Sequence, residues 1–264
     1  MLTHWQPEQL DEHCLTGLDY VVSVDLGKSQ DFTALVVLEI HQPMEAGGSP
    51  AYHLRHLERW EIGTEYSRMA DEVCALLLRP PLFARAALVI DATGVGNAVR
   101  ELFAPARGDE AAEMLDALGG DTPVRPMLDT PAGLAEALAL ARAQDAEAVG
   151  GEAVLRTLTR WLAFGSLWQF VPVVITGGME ASYEKTTATH HVPKHDLVAT
   201  AITVLQQGRL RIAAGLPLGR VLLGEFDGFR ATPTSSAHER YEAREGEHDD
   251  IVLAVAQGLW VGER

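Results

Sequence analysis

The sequence has little of what a stapled or zinc-clustered domain needs. Its two cysteines, Cys14 and Cys74, lie far apart with no CxxC, and the adjacent His13 lacks ligand spacing. Neither a disulfide framework nor a cysteine-based zinc site is indicated, and a reducing, cytoplasmic setting is expected. No apolar run approaches the length of a bilayer span. The first residues, Met1 to Glu8, carry an acid where a signal peptide needs basic and then apolar residues, so neither export nor membrane residence is expected. Positive charge is scarce: 37 acids face 21 bases for a net charge of -16, and only Lys28, Lys185 and Lys194 are lysines. That balance excludes diffuse attraction to nucleic acid or anionic membrane. Any polyanion must be held by a local basic patch or by bound cations.

What is present describes a folded chain. Hydrophobic residues make up 47% and charged residues 22% of 264, with 24 glycines and 13 prolines dispersed. The runs 19–27 and 32–40 read as two antiparallel strands, with 52–62 as a third strand of the same meander. Helical spacing over 66–78 ends at Pro80-Pro81. The short apolar run 86–90 predicts a buried central strand, with a helix over 97–103 behind it. Residues 105–164 change texture, acidic and then Ala-rich, and predict a helical insertion. Strand character returns at 170–175. Helices are expected over 192–207, 216–229 and 249–260, a small strand over 209–213, and a polar loop up to Gly246.

Three acids stand where acids are awkward: Asp25 inside an apolar strand, Asp91 at the end of a buried one, and Asp250 opening an apolar helix. One aspartate at such a place is commonly a turn or cap residue, and Asp249 or Asp250 could simply cap the last helix. Three together need another account, since a buried carboxylate requires a partner and converging carboxylates cannot supply one another's. Divalent cations can. An all-oxygen donor set with few protein ligands suits Mg²⁺ or Mn²⁺, and two such ions position an attacking water and stabilise a leaving 3′-oxygen.

The order of these acids along the strands and the last helix resembles the ribonuclease-H-like nucleases. The segments VVSVDLGKSQDFTALVV, LVIDATGVGNAV, ITGG, VPKHDLV and GEHDDIVLAVAQGLW, in that order, resemble the C-terminal nuclease domain of bacteriophage terminase large subunits. The resemblance implies an α/β ribonuclease-H-like fold with a mixed central β-sheet flanked by helices. It treats 1–264 as a single nuclease domain, with a core of 18–104 and 165–264 and the helical insertion at 105–164. It implies a Mg²⁺- or Mn²⁺-dependent endonuclease cutting double-stranded DNA, using two ions during catalysis, with Asp25, Asp91 and Asp250 as ligands and Asp249 as a fourth candidate. Family partners would be an ATPase motor, a small terminase subunit and a portal, in the host cytoplasm if the chain is phage-encoded. No GxxxxGK[ST] loop occurs in the sequence, so translocation is not expected of this chain alone.

Further candidates surround the acids. Asp31, Thr93 and His248 could support the ligands, although a solvated turn aspartate and a surface histidine are ordinary alternatives. Gly94 and Gly96 suit a tight strand-to-helix turn. Lys185, Lys194, Arg209 and Arg211 are candidates for DNA phosphate. Over 185–224 five bases face the single acid Asp196, a local excess in an acidic chain. Competing readings are a Holliday-junction-resolvase-like nuclease using the same acids, a sugar-kinase-like phosphate loop in DLGKSQDFT, and a non-catalytic acidic interaction module that keeps the fold.

Overall fold

The computed structural model describes residues 18–27, 31–43, 47–83, 85–94, 96–103, 159–160, 163, 169–228, 230–233, 239–242 and 249–264. The chain divides into two compact units. One comprises Met1–Thr64, Arg85–Gly96 and Trp168–Arg264; the other comprises Glu65–Ala84 and Asn97–Leu167.

The first unit is built on one eight-stranded mixed sheet. β1 (Tyr20–Asp25), β2 (Thr33–His41) and β3 (Ala51–Trp60) form an antiparallel meander. β4 (Ala86–Asp91) runs parallel to β1 on its other side, and β5 (Gln169–Thr176) runs parallel to β4. β6 (Ser182–Glu184) and β7 (Thr189–Pro193) extend the sheet beyond β5, while β8 (Leu210–Ile212) closes the opposite edge against β3. The strand order 3-2-1-4-5, antiparallel and then parallel, is that of the ribonuclease-H-like sheet. Every residue of β1 and β4 is buried, as central strands covered on both faces must be.

Among the described residues, the helices of this unit are α3 (Lys194–Gln206), α4 (Gly219–Gly228) and α5 (Asp250–Gly262). α1 (Tyr66–Leu77) and α2 (Gly96–Phe103) precede β5. α5 is buried from Asp250 to Trp260 and lies on β1 and β2, with α3 beside it. Gly258 permits that closeness, because a Cβ there would stand 2.8 Å from Leu38 Cδ1 and 3.2 Å from Ser23 Cβ. Val21, Val36, Leu38, Leu54, Ile251, Val255 and Leu259 share the resulting core. Truncating such a residue to alanine costs about 2–5 kcal/mol. The far end of α5 is tied down by Glu263, which accepts hydrogen bonds from Tyr52 Oη at 2.7 Å and from Arg209 at 2.6 and 2.9 Å.

In the second unit, α1 buries Met69, Val73, Cys74, Leu76 and Leu77. Arg160 braces it through Asp71 and the Ser67 carbonyl, both at 2.9 Å. The helical insertion expected over 105–164 falls outside the described residues, apart from 159, 160 and 163, which are helical.

The expected strands of the meander, the central strand and the last helix are present within a residue or two. Two expectations need correction. The helix expected from Val192 begins at Lys194, because Thr189 to Pro193 forms β7, paired in parallel with β5 from Val173↔His190 to Thr176↔Pro193. Long-range pairing overrides a local helical pattern here. The polar loop expected before Gly246 contains a two-stranded ribbon, β9 (Arg230–Pro233) with β10 (Glu239–Glu242). Short polar strands carry no apolar alternation to reveal them.

Candidate active site

Asp25 ends β1 and Asp91 ends β4, and the parallel register Val24↔Ile90 sets the two carboxylates side by side. Asp250 opens α5, which crosses β1 and β2. The three are 5–7% exposed. Burial first, then the Asp91 carboxylate within hydrogen-bonding reach, with Asp249 and Asp250 adding, push Asp25 well above the usual carboxylate range. The acids separated in sequence therefore converge on one buried place.

Tight backbone turns leave both strand ends. A Cβ on Gly27 would fall 2.1 Å from the Phe32 carbonyl oxygen, so only glycine fits two residues after Asp25. The Gly27 N–H donates to Thr33 Oγ1 at 3.0 Å. After Asp91, Gly94 takes φ +70°, the left-handed region that favours glycine. There the Thr93 N–H donates to Asp91 Oδ1 at 2.7 Å, and Thr93 Oγ1 accepts the Ile175 N–H at 2.7 Å. Thr93 thus fixes the Asp91 carboxylate and ties its loop to β5.

Asp250 is held differently. Arg59, from β3, donates Nε to its Oδ2 at 2.7 Å and Nη2 to its Oδ1 at 3.0 Å. The same Nη2 also donates to Glu225 Oε1 on α4. Glu225 Oε2 accepts the N–H groups of Ile251 and Val252 at 3.1 and 3.0 Å. A carboxylate from another helix therefore caps α5, while Asp249, at the N-cap position, makes no side-chain cap. Burial raises Glu225 to about 7; the Val252 N–H and Arg59 oppose that rise and Asp250 adds to it. Lys194, the first residue of α3, donates to Asp249 Oδ2 at 2.7 Å. Asp25 Oδ1 accepts a hydrogen bond from Gln257 Nε2 at 3.2 Å, and the buried Gln257 Oε1 has no hydrogen-bond partner among the described residues.

Asp25, Asp91, Asp249, Asp250, Thr93 and Lys194 thus belong to one cluster. Asp31 is exposed in the β1–β2 turn, and His248 lies outside the described residues. The basic residues close in sequence are dispersed by the sheet. Lys185 is exposed in the β6–β7 turn at one edge, while Arg209 and Arg211 stand at the β8 edge. Seven strand spacings separate those edges, roughly 30 Å. Arg209 is engaged by Glu263, Gln207 and the Pro50 carbonyl.

Sequence reasoning missed Arg59, Glu225 and Gln257. Gln257 carried a signal, since it is an amide within an apolar helix seven residues, or two turns, after Asp250. Arg59 and Glu225 carried none, as a charged residue on an outer strand or a surface helix is ordinary.

No protein-family model and no curated protein matches the chain. Solved structures do. The large terminase nuclease from thermophilic phage G20c with bound magnesium is similar at 19% identity and TM-score 0.47, over 91% of this chain and 80% of that one. The Thermus phage P74-26 large terminase nuclease domain is similar at 18% identity and TM-score 0.44, over 90% and 77%. The human cytomegalovirus terminase nuclease domain, Mn soaked, is similar at 10% identity and TM-score 0.43, over 91% and 82%. Likenesses this distant assign no function.

Proposed function

We propose that this chain is a metal-dependent endonuclease acting on double-stranded DNA, of the kind found in terminase nuclease domains. The observation that carries the proposal is the convergence of Asp25, Asp91 and Asp250, from two strand ends and a helix start, on one buried place. The donor set fits Mg²⁺ or Mn²⁺: the candidate ligands Asp25, Asp91, Asp249 and Asp250 are all hard oxygen donors. One further feature agrees with an ion there: Gln257, whose Nε2 donates to Asp25, has its buried Oε1 without a hydrogen-bond partner among the described residues.

When bound, such ions would supply activated water and charge stabilisation at the phosphorus and the leaving 3′-oxygen. The protein's own contribution is to hold the ligands. Gln257 orients Asp25, the Thr93 N–H orients Asp91, and the Arg59 fork fixes both oxygens of Asp250. Lys194 places an ammonium at the edge of the cluster, where an arriving phosphate can replace Asp249 as its partner. Phosphate contacts of this kind position DNA without reading its sequence. With a net charge of -16, free DNA binding is expected to be weak and salt-sensitive, and delivery by a packaging motor, small subunit and portal would overcome that.

The test is nicking and linearisation of supercoiled plasmid with Mg²⁺, Mn²⁺ or EDTA. Cutting should require the metal and disappear in Asp91→Asn with the fold retained. Equal cutting by that variant would remove the proposal.

A further inference from the structure

A second group of ligand atoms lies far from the aspartates, at the other end of β2. Glu39 and His41 are two residues apart on β2 and so share a face, and His53 stands directly across on β3 in the register Glu39↔His53. His41 Nε2 is 3.1 Å and His53 Nδ1 3.9 Å from Glu39 Oε2. One ligand atom from each residue lies within 4.8 Å of the other two, and the imidazole centroids are 3.9 Å apart. Asp25 pairs with Ala34, five residues back along β2 from Glu39, which separates the two places by about 17 Å.

We propose that Glu39, His41 and His53 form a separate site for a borderline transition-metal ion such as Zn²⁺, Ni²⁺ or Co²⁺, pinning the end of the β2–β3 hairpin. Ligand-to-metal lengths of about 2.0–2.2 Å require ligand atoms roughly 3–3.5 Å apart. The observed separations reach that range by side-chain adjustment alone, because the strand pairing already fixes the three backbones. Two imidazoles and one carboxylate suit these ions, whereas Mg²⁺ takes oxygen donors and favours the aspartate cluster. The site stands whether or not the chain cuts DNA.

Other charges face the place. Arg55 donates to Glu39 Oε2 from Nε at 2.6 Å and lies 2.5 Å away through Nη2, and Tyr20 Oη donates to Glu39 Oε1 at 3.3 Å. Arg211 is paired across from His53 on β8. Arg55 competes with the ion for Glu39, but its side chain is 39% exposed and can turn into solvent. Removing that competitor separates a metal site from a hydrogen-bonded cluster: truncation strengthens the former and loosens the latter.

The experiment titrates untagged protein with Co²⁺ in excess Mg²⁺, following visible absorption of the bound ion and, with Zn²⁺, calorimetry. One equivalent should bind. Affinity should fall at least ten-fold in His41→Asn and in His53→Asn, and rise several-fold in Arg55→Ala. It should be unchanged in Asp91→Asn, while His41→Asn retains whatever plasmid cutting the parent shows. His41 is 44% exposed, so its substitution reports even if His53→Asn fails to fold. Absence of binding in excess Mg²⁺, or binding indifferent to His41→Asn, would overturn the proposal. So would weaker binding in Arg55→Ala.

Discussion

Arg59 is the residue on which the metal-free cluster should depend most. It bridges Asp250 and Glu225 with side chains 15%, 6% and 7% exposed, so both carboxylates are shielded from water and the guanidinium is partly so. Arg59→Met keeps the apolar stem and leaves two buried carboxylates without their cation. Breaking a buried pair from one side costs about 3–5 kcal/mol, far above the value of a surface pair. For a chain of this size each kcal/mol moves Tm by roughly 2–4 °C, so a fall of about 6–20 °C is expected in EDTA near neutral pH. The pH dependence has a definite sign. Glu225 is raised by burial from 4.5 to about 7, so the folded state holds its proton longer than the unfolded chain does. The contribution of Glu225 is therefore full below 4.5 and is lost as pH rises towards about 7, and Asp25 acts in the same direction. Removing Arg59 raises Glu225 further, so the deficit of Arg59→Met should shrink at about pH 5, where Glu225 is neutral. Adding Glu225→Gln should restore part of the loss at neutral pH, although it alters the cap on α5. Circular-dichroism melts across that pH range decide the matter. A fall below about 2 °C, or one that is equal at both ends of the range, would refute the reasoning.

Two smaller predictions concern other buried groups. Thr93→Val keeps the shape but orphans the Ile175 N–H, which should cost about 1–3 kcal/mol in a denaturant titration and reduce cutting; Thr93→Ser should retain both. Burial pushes the Cys74 thiol up to about 12. Peptide mapping after alkylation near pH 8 should therefore find Cys74 unmodified in the native protein and modified in denaturant; rapid native labelling would contradict its burial.

Much of the sheet was legible in the sequence because its inner strands are nearly continuous apolar runs bounded by turn residues. β1 and β4 each end in an aspartate, and a carboxylate closing such a run is itself a local signal. α5 was legible as well, since a thirteen-residue run whose polar side chains are Asp250 and Gln257 has few other ways to be satisfied. Edge elements were less readable. β6, β9 and β10 are short and polar, and β7 ends in a proline that reads locally as the beginning of a helix. Their strand character comes from partners elsewhere in the chain, which a local window does not contain.

The sequence by itself determined which residues are chemically out of place: Asp25, Asp91 and Asp250, each set where burial demands a partner. Only the tertiary structure decided who the partners are. The parallel register of β1 with β4 brings Asp25 beside Asp91, the crossing of α5 brings Asp250 and Gln257 to them, and β3 and α4 supply Arg59 and Glu225. The same folding parts bases that were neighbours in sequence and joins Glu39, His41 and His53, which no spacing rule would have grouped. The physical reason is common to all of these. Burial preferences are written residue by residue, whereas contacts between charges depend on strand order and register, which are set by the pairing of the whole sheet.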